Sequence, residues 1–113
     1  MHRYSGWAEI STGRPAPAQV ERVRLLVAAQ RASGVAVGLT EAGGRWHVWA
    51  EGTTRDGPPP LLPLFKAIGA VAAGSVGVLE VERVDTGGTR ADRWVLMRGS
   101  VTAAEQSWDR VSL

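Results

Sequence analysis

Gly69, Gly74, Ser75 and Gly77, in the stretch GAVAAGSVG, are spaced almost as in loops that hold nucleotide phosphates. Such a loop leaves a strand and enters a helix, so that the free N–H groups of the helix N-terminus point at the anion. Here the apolar repeat Leu61, Leu64, Phe65, Ile68 and Ala72 places a helix before Gly74, and an alternating apolar run places a strand after it. The helix therefore offers its carbonyl end, which repels phosphate. No lysine follows Gly74. The stretch reads as a helix stop at Gly74, with Ser75 to Gly77 launching a strand.

Other arrangements that could do chemistry are equally sparse. The two histidines are His2, near a chain end, and His47, within a strand pattern. Glu80 and Glu82 share one face of a strand, yet no further acidic or histidine ligand lies near them in sequence to complete a metal site or an acid–base pair. Asp85 and Asp92 flank a glycine-rich turn and suit that turn. The chain has no cysteine, which excludes disulfides, thiol catalysis and thiolate zinc sites. No catalytic, metal-binding or cofactor-binding residue is assigned, and the expectation is a protein that is not an enzyme.

What stands out is tryptophan: Trp7, Trp46, Trp49, Trp94 and Trp108. Tryptophan couples a large apolar body to one N–H donor, so it serves cores and partner surfaces alike. Trp46 and Trp49 are three apart in a strand and must point to opposite faces. One belongs to the core and the other is exposed.

Turn signals and periodicity define the elements that position these residues. RYSGWAEIS alternates as a strand, with Tyr4, Gly6 and Ala8 on one side and Ser5, Trp7 and Glu9 on the other. A helix starts near Pro17 and runs to Ser33 on the stripe Val20, Val23, Val27, and Gly34 caps it. VAVGLTEAGGRWHVWAEG reads as a hairpin turning at Ala42, Gly43 and Gly44. Trp46, Val48 and Ala50 lie on one face of its second strand, and Arg45, His47, Trp49 and Glu51 lie on the other. After the loop TTRDGPPP comes the second helix, with Pro60 and Pro63 in its first turn. SVGVLEVERVD and ADRWVLMRGSV then form a second hairpin about TGGTR. The expected fold is α+β: a mostly antiparallel sheet of about five strands with two helices on one face, in βαββαβ order plus one strand, a ferredoxin-like arrangement.

The chain has 113 residues, 44% of them hydrophobic and 21% charged, within the range of one globular domain, 1–113. No apolar run approaches the roughly 20 residues of a membrane span and no signal peptide is visible. A cytoplasmic protein without a membrane partner is expected. The net charge is +2 and the pI about 9.9, but the arginines are dispersed, whereas nucleic-acid binders cluster them. An RNA-binding sheet like that of the RNA-recognition motif is the alternative. It wants third-strand aromatics two residues apart, and RWHVWAEG does not supply them.

The order of YSGWAEI, LFKAIGAVAAGSVGVLEVERVD and WVLMRGSV, with similar gaps between them, resembles the immunity protein 7 family of bacterial polymorphic toxin systems. Tyr4, Gly6 and Trp7 match its Tyr-x-Gly-Trp, Gly74, Ser75 and Gly77 its Gly-Ser-x-Gly, and Arg98 and Gly99 its Arg-Gly. The loop ahead of the second helix reads GTTRDG, where relatives often carry histidine and asparagine. The resemblance implies a small protein without enzymatic activity that binds a cognate toxin domain and blocks it. The basic composition makes a poor mimic of nucleic acid, so the expected mechanism is steric occlusion. Arg45, Trp49, Arg55 and Trp94 are the expected contact residues, chosen for residue type and exposure.

Overall fold

The computed structural model describes residues 1–55, 57–85 and 87–104; Trp108 lies outside the described residues. The elements are β1 (His2–Glu9), α1 (Pro17–Ala32), β2 (Val37–Ala42), β3 (Arg45–Thr54), α2 (Leu61–Val71), β4 (Val76–Asp85), β5 (Gly88–Met97) and β6 (Ser100–Ala103). The strands form one six-stranded antiparallel sheet in the order β2-β3-β1-β4-β5-β6.

The sixth strand corrects the expected five. WVLMRGSV is not one strand but the end of β5, a turn and β6, with Met97 opposite Ser100. Arg98 and Gly99 both adopt positive φ, 54° and 80°, which is what a two-residue hairpin turn compatible with strand twist demands. The β2–β3 turn repeats this device with Gly43 and Gly44, at φ 60° and 82°.

Alternation assigns the sheet faces. Tyr4 and Ala8 of β1, Val48 and Ala50 of β3, Leu79 and Val81 of β4 and Leu96 of β5 are buried on one face, against Val23 and Val27 of α1 and Leu61, Leu64, Phe65 and Ile68 of α2. Both helices thus cover the same side. The α2 stripe supplies most of the adhesion, since each buried Leu, Ile or Phe stabilises by about 1.5–3 kcal/mol.

The Gly-Ser-x-Gly segment has a different local role from the helix stop expected. α2 ends at Val71 and its cap is Ala72; Gly74 is not among the glycines with positive φ. Instead its carbonyl accepts from Thr12 N–H at 3.0 Å and Thr12 Oγ1 at 3.2 Å, and the buried Ser75 Oγ accepts from Ser11 N–H at 2.9 Å. The segment clamps the chain leaving β1, where Ser11 bends with φ 44°. Gly77 is required by close approach: a Cβ there would collide with Trp7 O and Ala8 of the neighbouring strand. The polar groups of Gly74 and Ser75 are thus engaged with the chain that leaves β1.

Candidate functional site

The sheet face opposite the helices has no element over it among the described residues, and the register sets an apolar row across it. Gly38 faces Trp49, Trp49 faces Trp7, Trp7 faces Val78, Val78 faces Val95 and Val95 faces Thr102. Trp7 and Trp49 remain 49% and 44% exposed, side by side on the neighbouring strands β1 and β3. The Trp49 indole lies over Gly38, where any Cβ would occupy the place of the ring. Glycine is therefore the seat that lets this indole lie flat. A shallow depression of about 630 Å³ runs along the row toward Glu80, Arg93 and Ala104.

Charged side chains rim the row on both sides, and most are tied to one another. Arg93 donates to Glu80 Oε2 through Nε at 3.1 Å and Nη2 at 2.7 Å. Arg3 reaches Glu82 at 3.4 Å. On the other side Glu9 lies 3.8 Å from Arg45 and 3.9 Å from His47. This explains Glu80 and Glu82 without acid–base chemistry, because each is held by its own guanidinium. Among the described residues, no three His, Cys, Asp or Glu side chains gather into a metal site. The face carries three arginines, Arg3, Arg45 and Arg93, and four carboxylates, those of Glu9, Glu51, Glu80 and Glu82, so it has no surplus of positive charge.

The expected contact residues are only partly brought together. Arg45 and Trp49 share the open face. Arg55 follows the far end of β3, so the ten-residue strand, about 30 Å of extended chain, separates it from Arg45. Trp94 departs from the expected exposure: it projects from β5 on the helix side, half-buried and packed against the core. Leu79 opposite it and Leu96 beside it draw it inward. Trp46 is partly buried against the core while Trp49 is exposed, as the spacing of three requires. Trp7, Val78 and Val95 are the members that sequence reasoning did not select. The alternation of β1 places Trp7 beside Ser5 and Glu9 on the polar side, which was the available signal; that it meets Trp49 depends on register.

No helix among the described residues is long and apolar enough to cross a membrane. The likeness to immunity protein 7 thus rests on the quoted residues and their order, because comparison of the chain with family models, curated proteins and solved structures finds no match.

Proposed function

We propose that this chain is an immunity-type binding protein that docks a cognate toxin domain on the open sheet face and occludes its active site in the cytoplasm of the producing cell. One observation carries this reading: Trp7 and Trp49 lie exposed and adjacent on neighbouring strands of the open sheet face, in an apolar row rimmed by ion pairs. Protein interfaces have this anatomy, with aromatic anchors in a centre that excludes water and charges at the rim. A standard interface covers about 800 Å² on each partner, enough to close an active site by bulk alone. We also read the order β2-β3-β1-β4 as ferredoxin-like, extended at the β4 edge by the β5–β6 hairpin.

Co-expression with the toxin domain encoded beside it tests the proposal. The wild-type chain should restore growth, and a chain carrying Trp7→Ala and Trp49→Ala should fold and fail to restore it. Failure of the wild-type chain to rescue growth would sink the reading.

A second reading has one observation in its favour. Two indoles side by side on β1 and β3 form a stacking platform of the kind that single-stranded nucleic acids use. Against it, the arginines of this face are engaged with carboxylates, and nucleic-acid affinity draws on cations that can meet phosphate. Binding to mixed RNA that falls steeply with salt would favour this second reading.

A further inference from the structure

A second concavity, of about 620 Å³, lies on the helix side between the start of α2 and strands β1, β4 and β5. Its walls are apolar and rigid: Pro58, Pro59, Pro60, Leu62 and Pro63 face Val81 and the half-buried Trp94. At one end the register sets His2 beside Arg83 and Arg83 beside Arg90. Like charges directly opposite on neighbouring strands repel one another. Asp92 is the one carboxylate lining the groove among the described residues, while Asp85 pairs with Arg83 from outside it at 3.5 Å. His2 Nδ1 is buried there without a hydrogen-bond partner among the described residues, and the N-cap of α2, Pro60, supplies no side-chain cap. An unpaired buried polar atom and two exposed arginines at paired positions therefore lie at one end of an apolar slot whose proline wall is the uncapped start of α2.

We propose that this groove binds a small aromatic carboxylate, its ring between Trp94 and the proline wall and its carboxylate against Arg83 and Arg90. The site is separate from the open sheet face and does not depend on the docking function proposed above. The volume lies within the roughly 300–1,000 Å³ of small-molecule sites, which are mostly apolar with a few convergent polar groups. A carboxylate accepts from two guanidiniums at once and relieves their repulsion, which a neutral ligand of the same shape does not.

The test is a titration of the full chain with 1-naphthoate, followed by amide and indole NMR shifts. The Trp94 indole N–H, Leu62, Val81 and Arg90 should shift, with Trp7 and Trp49 unmoved. 1-Naphthylmethanol, which lacks the charge, should bind about tenfold more weakly, and so should naphthoate to the variant carrying Arg83→Gln and Arg90→Gln. Asp92→Asn should tighten binding severalfold by removing the opposing carboxylate. Without ligand, Arg90→Gln should unfold at the wild-type temperature or above, because it removes a like-charge pair. Shifts confined to Trp7 and Trp49, or equal affinity for naphthoate and naphthylmethanol, would overturn the proposal. So would an acidic aromatic peptide that binds this groove about tenfold tighter than naphthoate, which would assign it to a protein segment.

Discussion

Ser75 carries no charge, yet among the described residues it is the polar side chain buried in full. It is fully buried, and its Oγ is the acceptor for Ser11 N–H at 2.9 Å. Ser75→Ala should cost about 1–3 kcal/mol, the penalty of a buried donor left unsatisfied, read as a lower urea midpoint with unchanged slope. Tyr4 does similar work across the core, where its hydroxyl accepts from Ala36 N–H at 2.8 Å. The Tyr, Gly, Ser and Trp positions of the resemblance thus divide into two kinds. Tyr4, Ser75 and Gly77 hold the fold, and Trp7 is left facing solvent. Gly38 matters to the open face although it has no side chain, because the Trp49 indole lies over it. Gly38→Ala should lift the Trp49 indole from its seat, change its fluorescence and weaken partner binding with little loss of stability, because β2 is an outer strand among the described residues.

The elements show what periodicity can and cannot deliver. The helix stripes were legible because Val20, Val23 and Val27, and then Leu61, Leu64, Phe65 and Ile68, recur at the spacing of one helical face. Strand faces were legible for the same reason, down to the split between Trp46 and Trp49. The β5–β6 turn was not, since Arg98 adopts a left-handed conformation that a non-glycine residue seldom takes, and ArgGly is a weaker turn signal than AsnGly or AspGly. Gly99→Ala, at φ 80°, should destabilise the hairpin by about 1 kcal/mol, measured by thermal unfolding. Phe65→Ala, by contrast, should cost about 3–5 kcal/mol, since its ring is enclosed beneath α2. The Trp7–Trp49 meeting was hidden for a third reason. Face assignment needs only alternation within a strand, but a neighbour across strands needs register, and no local sequence signal fixes the β1–β3 offset.

At the scale of the whole molecule, charge and shape divide between two sides. The open face carries ion-paired rims about an apolar centre, while Arg22, Arg24, Arg31 and Lys66 lie on the helices. The basic pI therefore says little about the open face. Complex formation through the open face should depend weakly on salt, since its contact energy comes from indole burial and not from free charge. The most direct test is the dissociation constant for the toxin domain of the chain carrying Trp7→Ala and Trp49→Ala, set against one carrying Arg22→Ala and Lys66→Ala on the helix side. The tryptophan variant should keep its unfolding transition and lose about 2 kcal/mol or more of affinity, while the helix-side variant should bind as the wild type does. Wild-type affinity in the tryptophan variant, or loss confined to the helix-side variant, would rule out docking through the open face.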